Sequence, residues 1–177
     1  MNGDDWPPYG RSLNDFGGDW PAYKEHLYSL YSRDFLASQP TWPIGGKRFA
    51  IKKQPLVDGQ CHTFWHIISE GDQEEEREVV LSRCECICWP RLILDEFSAT
   101  YPAQRSNRIV WWVEERGGKR RVHIALADFS YLVVVEDRAD YVLLWTAFPI
   151  EREHQRRRKE RACEAYWLAA TKAKAAP

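Results

Sequence analysis

Two consecutive hairpin patterns in the second half of the chain restrict its fold more than any other feature. Four runs rich in β-branched and aromatic side chains follow one another there, at residues 108–116, 119–127, 131–136 and 141–150. Gly117-Gly118 separates the first two runs, and glycine accepts the positive φ angles of a tight hairpin turn. A turn at residues 137–140 separates the other two. Strands joined in this way pair antiparallel, so the pattern predicts an antiparallel sheet.

Shorter runs upstream predict further strands of the same sheet. The runs at residues 61–69 (CHTFWHIIS) and 79–89 (VVLSRCECICW) are rich in aromatic, β-branched and cysteine side chains, and a short run covers residues 49–53. The sheet is therefore expected to run from Arg48 to Ile150. The remaining intervals are predicted as a turn at Asp58-Gly59, an acidic loop at 71–78, a helical or irregular segment at 92–97 and a loop at 100–107.

Helical patterns precede and follow these strands. Asp19 is a suitable N-cap, and Pro21 suits the first turn of a helix. Apolar side chains then recur at helical spacing, at Tyr23, Leu27, Leu30, Tyr31 and Phe35. Residues 151–170 predict a closing helix rich in arginine. The predicted fold class is α+β, with a curved, mostly antiparallel sheet, an N-terminal helix and a C-terminal basic helix.

The length of 177 residues corresponds to one domain with accessory segments. Residues 1–18 are rich in Gly, Pro and Asp and are predicted to form a flexible N-terminal arm. We assign residues 19–46 to the N-terminal helix and a linker, and residues 47–170 to the α+β domain. Residues 171–177 are predicted to form a tail.

Charge is distributed unevenly although the net charge is only −1. Residues 1–46 carry six acids and three bases, whereas residues 151–177 carry four acids and eight bases. The basic end is a candidate phosphate-contacting surface or a solvated helix face. An odd number of cysteines, five, fits reduced thiols, and no segment is apolar enough for a membrane span. We therefore expect a cytoplasmic protein that does not associate with membranes.

Three alternating cysteines, Cys84, Cys86 and Cys88, superficially suggest a metal site. Structural zinc sites need two or more residues between paired cysteines, on a turn, so that the thiolates converge. Alternating cysteines on a strand share one face but diverge along it, and buried cysteine behaves as a small apolar side chain. No metal is therefore predicted here, and the cysteines are expected to face the core, opposite Arg83, Glu85 and Trp89.

His62, Phe64 and His66 alternate along one predicted strand and would therefore share a face. Such a face could stack a base and hold a phosphate, and histidine transfers protons near neutral pH. Equally, both histidines could be partly buried structural residues. Thr146, at the end of a strand, could position a phosphate or satisfy a backbone group.

The sequence lacks the motifs of several classes of nucleotide-dependent enzymes and hydrolases. The chain has no Walker phosphate loop, no dinucleotide glycine fingerprint, no nucleophile elbow and no HExxH motif. It also has no carboxylate cluster suited to magnesium. We predict no cofactor.

Several motifs, in their order along the chain, resemble a known nuclease class. They are residues 63–68 (TFWHII), 83–85 (RCE), 89–91 (WPR), 131–135 (YLVVV) and 144–148 (LWTAF), followed by His154 and an Arg/Lys-rich helix. This order resembles the BECR nuclease-like family of phage and mobile elements, which is named for barnase, EndoU, the tRNase colicins and RelE. The resemblance covers roughly residues 49–167.

The resemblance implies metal-independent cleavage of RNA on the concave face of a curved sheet. The ribose 2′-hydroxyl attacks the adjacent phosphorus, so the protein must move protons and stabilise added charge. The implied catalytic residues are His66 as general acid or base, Arg83 and Arg91 as charge stabilisers, Thr146 as phosphate-positioning group and His154 as second proton carrier. The implied RNA-binding residues are His62, Phe64, Glu85 (which would orient one arginine), Trp89 and Arg157.

The leading functional hypothesis is thus a toxin-like endoribonuclease whose partners are RNA and an antitoxin or immunity protein. One alternative is a non-catalytic phage or plasmid accessory protein that binds a protein partner through an aromatic sheet face, since nine Trp and eight Tyr are many for this length. Another is an antitoxin or immunity protein, which the acidic N-terminal region would suit. Convergence of His66, Arg83, Arg91 and Thr146 on one pocket would favour catalysis. The oligomeric state is left open.

Overall fold

The computed structural model describes residues 6–71 and 76–175. Within them lie five α-helices and seven β-strands. The helices are α1 (Trp20–Tyr31), α2 (His62–Ile68), α3 (Leu81–Glu85), α4 (Trp89–Thr100) and α5 (Glu153–Ala175). The strands are β1 (Arg48–Ala50), β2 (Ser69–Glu70), β3 (Glu78–Val79), β4 (Ile109–Arg116), β5 (Lys119–Leu126), β6 (Tyr131–Asp137) and β7 (Tyr141–Pro149).

The main sheet has five strands in the order β1-β7-β6-β5-β4. All neighbours pair antiparallel except β1, which pairs parallel with β7. Both predicted hairpins are confirmed, and Gly117 and Gly118 hold φ angles of 58° and 71° in the β4–β5 turn. β2 and β3 form a separate two-stranded ribbon. The predicted α+β class, with a mostly antiparallel sheet between an N-terminal and a C-terminal helix, is confirmed.

The strands predicted at residues 61–69 and 79–89 are wrong, because these segments are mainly helical. In α2 the buried side chains Phe64, Ile67 and Ile68 recur at the spacing of a helix. In the second segment α3 ends at Glu85, and Trp89 begins α4 with Pro90 in its first turn. Short apolar runs do not distinguish a strand from a buried helix by periodicity, and here packing against the sheet selects the helix.

Helices cover the two faces of the sheet unequally. The larger core lies on one face, where α1, α2 and α4 pack against side chains such as Ile124, Val133 and Leu144. On the other face, Trp112 and Val134 form a smaller core with Cys163 of α5. The indole Nε1 of Trp167 in α5 donates to the Trp111 carbonyl of β4 at 2.6 Å. α5 therefore closes the sheet on its β4 side.

The N-terminal helix follows the prediction. The Asp19 carboxylate accepts a hydrogen bond from Ala22 N at 3.1 Å and caps α1, which continues into a π-helical turn over Ser32–Ala37. The C-terminal helix is also confirmed but extends to Ala175, so residues 171–175 of the predicted tail are helical. Residues 176–177 lie outside the described residues.

Residues 6–18, assigned from composition to an arm, lie against the domain. Gly10 N donates to the Glu85 carbonyl at 2.7 Å, and the Trp89 indole donates to the Pro8 carbonyl at 2.9 Å. The Arg108 guanidinium lies 4.9 Å from the ring centroid of Trp6. Residues 1–5 of the predicted arm and residues 72–75 of the predicted acidic loop lie outside the described residues. Across the described ranges, no helix combines the length and apolar character needed to span a bilayer.

The bond from Trp167 to the sheet edge can be tested by Trp167→Phe, which keeps an aromatic ring, though a smaller one, and removes the indole N–H. Because the Trp111 carbonyl loses its shortest donor, we expect the free energy of unfolding to fall by about 1 kcal/mol. The measurement is urea denaturation. Leu168→Ala, on the same helix at 59% exposure, is the matched control and should change stability little. Equal stability of Trp167→Phe and wild type would contradict the proposed bond.

Candidate functional site

A cleft of about 340 Å³ opens beside β7 where its pairing with β1 stops. β1 is only three residues long and pairs as far as Ala50 with Leu143. Beyond Leu143, α2 takes the place of a neighbouring strand. The cleft is lined by Lys52, His62, Thr63, His66, Gly71, Arg77, Leu143, Leu144 and Trp145.

Hydrogen bonds join the first turn of α2 to the segment that follows β1. Thr63 N donates to the Lys52 carbonyl at 3.0 Å, and Lys52 N donates back to Thr63 Oγ1 at 2.9 Å. His62 N donates to the Lys53 carbonyl at 3.2 Å. These bonds satisfy amide groups of the helix N-terminus that have no partner within the helix. They also fix the main chain of Lys52 beside His62.

Lys52 and His62 meet through their side chains. Lys52 Nζ lies 3.1 Å from His62 Nε2. An ammonium group can only donate, so His62 Nε2 is the acceptor when Lys52 is charged. Lys52 is exposed, whereas His62 is 8% exposed. The contact therefore holds a cation at the mouth of the cleft over a largely buried imidazole.

The two histidines of α2 form a stacked pair. His62 and His66 are four residues apart, their ring centroids are 5.2 Å apart and their planes differ by 23°. The prediction that they share a face is confirmed, but through the i,i+4 spacing of a helix and not through strand alternation. For the same reason Phe64 is not part of this face. It is 0% exposed and packs against Tyr28 and Tyr31.

Arg77 fixes the other end of α2. Its guanidinium donates to the Ser69 carbonyl at 2.7 Å, to the His66 carbonyl at 3.2 Å and to the Gly71 carbonyl at 2.9 Å. A cation at a helix C-terminus satisfies carbonyls that have no partner within the helix and complements the helix dipole. Arg77 therefore positions the backbone of His66.

Sequence reasoning missed both cations of the cleft. Lys52 lies in the short predicted strand at residues 49–53, and Arg77 lies in the predicted acidic loop at residues 71–78. The signal available for Lys52 was its position shortly before the histidine segment. Its position in the sequence does not indicate whether the Lys52 side chain points toward His62.

Arg83 lies next to this cleft but does not line it. Its guanidinium donates to the Ser69 carbonyl at 2.7 Å and to the Glu70 carboxylate at 3.2 Å. It also lies 5.5 Å from the ring centroid of Phe148. Arg83 thus lines a neighbouring groove together with Arg152. The Ser69 carbonyl accepts both from Arg77 of the cleft and from Arg83 of this groove.

Arg91 has a structural environment away from the cleft. It donates to the Asp95 carboxylate at 2.9 Å, to the Asp34 carbonyl at 2.6 Å and to Ser38 Oγ at 2.9 Å. These bonds join α4 to the end of the N-terminal helix. Among the described residues, the carboxylates that orient the arginines are Glu70 for Arg83 and Asp95 for Arg91.

Glu85 and Trp89 were predicted as RNA-binding residues on a shared strand face, which α3 and α4 replace. Glu85 ends α3, and its main-chain carbonyl accepts from Gly10 N. Trp89 is 5% exposed and packs on Tyr131 with a ring-centroid separation of 5.2 Å. The Trp89 ring is therefore part of the core.

The remaining predicted residues also lie outside the cleft lining. Thr146 pairs with Val134 on β6. His154 is exposed in the first turn of α5. Arg157 is exposed and binds Glu153 one turn away at 3.0 Å. The structure therefore brings together His62 and His66, and it does not bring Arg83, Arg91, Thr146 or His154 to the same pocket.

The cysteines of residues 84–88 are mainly core residues, as predicted. Cys84 and Cys86 are 0% and 2% exposed. Burial raises the pKa of each thiol to about 12, so both stay protonated near neutral pH. Among the described residues, no group of three His, Cys, Asp or Glu side chains is arranged to hold a metal ion.

A larger hollow, of about 790 Å³, lies between the N-terminal segment and the loop that joins β5 to β6. Trp6, Pro7, Pro8 and Tyr9 contribute one wall. Its lining, drawn from the described residues, contains no histidine, lysine or cysteine. The smaller cleft beside β7 is therefore the better candidate for chemistry.

Another histidine, His123 on β5, is buried away from the cleft. It is 6% exposed and stacks on Trp112 with ring centroids 5.1 Å apart. Burial lowers its pKa to about 4, with Lys159 and Arg121 acting in the same direction and Glu114, at 3.8 Å, acting against them. The imidazole is therefore neutral near pH 7 and is part of the structure.

Comparisons of the chain with protein-family models, curated proteins and solved structures give no match. The resemblance to the BECR nuclease-like family therefore stays a prediction.

His123 should make stability depend on pH. Its folded pKa of about 4 lies below the ordinary value of 6.5, so the unfolded chain binds the extra proton more readily. Its contribution is present above pH 6.5 and is lost as pH falls toward 4. We expect His123→Gln to reduce the decline in unfolding free energy over this range by on the order of 2 kcal/mol, measured by urea denaturation.

The matched control for this measurement is His154→Gln, because His154 is exposed on α5. It should leave the slope of wild type unchanged. If His123→Gln keeps the full pH dependence of the unfolding free energy while His154→Gln reduces it, His123 is not the group responsible.

Proposed function

We propose that the cleft beside β7 binds a phosphate of RNA and that the protein cleaves the RNA strand there, by attack of the ribose 2′-hydroxyl on that phosphate. One observation carries the proposal: two stacked imidazoles lie in an open cleft with the Lys52 ammonium 3.1 Å from one of them. Imidazoles move protons near neutral pH, and an ammonium group stabilises negative charge on phosphate oxygens. The side chains of the cleft thus supply the groups that the reaction needs without a metal.

The reaction requires two proton transfers. As the 2′-oxygen forms its bond to phosphorus, its proton must go to a base. As the bond from phosphorus to the 5′-oxygen breaks, that oxygen must receive a proton. The products are a 2′,3′-cyclic phosphate and a new 5′-hydroxyl, so no water is consumed in this step.

We assign the base to His66, since it is the more exposed of the two residues and Arg77 fixes its backbone. Lys52 stabilises the charge that develops on the phosphate and gives a proton to the 5′-oxygen. His62 holds the Lys52 ammonium through Nε2 and stacks on His66. Proton exchange with solvent then restores both groups.

This assignment replaces the roles first proposed for Arg83, Arg91, Thr146 and His154, which lie outside the cleft lining. Arg83 keeps a secondary role in the proposal. Together with Arg152 it lines the neighbouring groove, and it shares the Ser69 carbonyl with Arg77 of the cleft. The RNA backbone beyond the reacting phosphate would run along that groove and contact both arginines.

The accessory-protein alternative needs an exposed aromatic sheet face. Trp111 and Trp112 are 7% and 0% exposed, and Phe64 is 0% exposed. Most of the aromatic surplus that suggested such a face is therefore in the core. This distribution favours the histidine cleft over a broad aromatic docking surface.

A toxin-like role in the cytoplasm, restrained by an antitoxin or immunity protein, extends the same proposal. We therefore expect growth to stop when the wild-type protein is expressed in a bacterial host. His66→Ala should relieve that arrest at equal protein levels, because the base is lost. Arrest by both proteins would count against RNA cleavage as its cause.

The direct test is incubation of the purified protein with total RNA in EDTA. Wild type should cleave and leave 2′,3′-cyclic phosphate ends, and His66→Ala should slow cleavage about 100-fold or more because the base is lost. Initial rates on a labelled oligonucleotide give the magnitude. An oligonucleotide with a single 2′-deoxy position at the cleaved linkage should resist, since the attacking oxygen is absent.

The matched control is His154→Ala, which removes an exposed histidine outside the cleft and should cleave at the wild-type rate. Absence of cleavage by wild type contradicts the proposal, as does His66→Ala at the wild-type rate. Cleavage that stops in EDTA contradicts the metal-independent mechanism.

A further inference from the structure

Trp145 lies at an irregularity of β7 and lines the cleft. Val134 pairs with Thr146 and Val135 pairs with Leu144, so Trp145 is an extra residue with no partner on β6. Such bulges redirect a side chain out of the regular alternation of a strand. Trp145 is 36% exposed, which is more than any other tryptophan of the chain.

Two cations of β5 contact the Trp145 indole. The Arg121 guanidinium lies 4.4 Å from the ring centroid, and Lys119 Nζ lies 5.5 Å from it. Arg121 is itself held by the Glu136 carboxylate at 3.2 Å, and Glu136 is 3% exposed. A buried carboxylate thus anchors the cation that supports the ring.

Trp145 also lines the cleft, together with His62 and His66. It therefore lies between the cleft and the cations of β5 near the tip of the β4–β5 hairpin. Arg116, Lys119 and Arg120 are exposed at that tip. An aromatic platform bordered by cations is the arrangement that proteins use to stack unpaired bases while their phosphates are held by charge.

We propose that Trp145 stacks an unpaired nucleobase next to the phosphate held at Lys52, which makes single-stranded RNA the substrate class. The inference rests on the proposed function for the position of the reacting phosphate. In a duplex each base is already stacked and paired, so its face is not available to the indole. The hairpin cations would contact the phosphates that follow the stacked base.

The test measures binding without cleavage, in the His66→Ala background and in EDTA. The probes are a fluorescently labelled ten-nucleotide uridine oligomer and an RNA duplex of the same length. Adding Trp145→Ala should raise the Kd for the single strand about tenfold, since loss of one stacked base has an effect of that order. Trp145→Phe should restore most of the affinity, and duplex binding should be weaker and insensitive to both changes.

The matched control is Tyr9→Ala, which removes an exposed aromatic ring that lies on Trp89, outside the cleft lining. It should bind the single strand like its parent. Thermal unfolding of each variant shows whether the fold is kept. Unchanged single-strand affinity in Trp145→Ala, or an equal loss for the duplex, overturns the stacking role.

The outcomes separate this inference from the proposed function. If wild type cleaves no RNA but Trp145→Ala weakens single-strand binding, the cleavage proposal fails and the stacking site stands. If wild type cleaves and His66→Ala does not, while Trp145→Ala binds like its parent, cleavage stands and the stacking site is wrong.

Discussion

The uneven pairing of β7 determines where this molecule can have a site. One side of β7 pairs with β6 along the strand, whereas the other side pairs with β1 only as far as Leu143. A strand edge next to a core must be covered, since exposed backbone groups invite pairing with other chains. α2 provides that cover. The cleft is the space left where strand pairing gives way to helix packing.

Two sets of hydrogen bonds hold α2 in a defined position beside β7. Thr63 ties the start of α2 to Lys52, and Arg77 ties its end to the ribbon of β2 and β3. A helix of seven residues has little stability of its own, so both ends depend on these tertiary bonds. With both ends fixed, the i,i+4 spacing alone places His62 over His66. The geometry of the site is therefore a property of the anchors as much as of the histidines.

The elements that could be predicted from the sequence are those marked by turn or cap residues close to them in the chain. Gly117-Gly118 identified one hairpin, and Asp19 with Pro21 identified the start of α1, because turn and cap chemistry act within a few residues. The segments at 61–69 and 79–89 carried apolar runs that suit a strand or a buried helix, and only the sheet edge decides between them. His62 and His66 were recognised as a pair for the wrong reason. Lys52 could not be paired with His62, since their contact depends on how residues 53–61 turn back.

Two of the five histidines line the proposed binding cleft, so a measurement that resolves individual histidines is the sharpest test. Imidazole resonances can be followed by NMR while a 2′-deoxy oligonucleotide, which binds but cannot be cleaved, is titrated into the protein. We predict that the His62 and His66 signals shift together with one dissociation constant, while those of His26, His123 and His154 stay in place. Shifts at His154 alone, or no shift at His62 and His66, would contradict binding in the cleft.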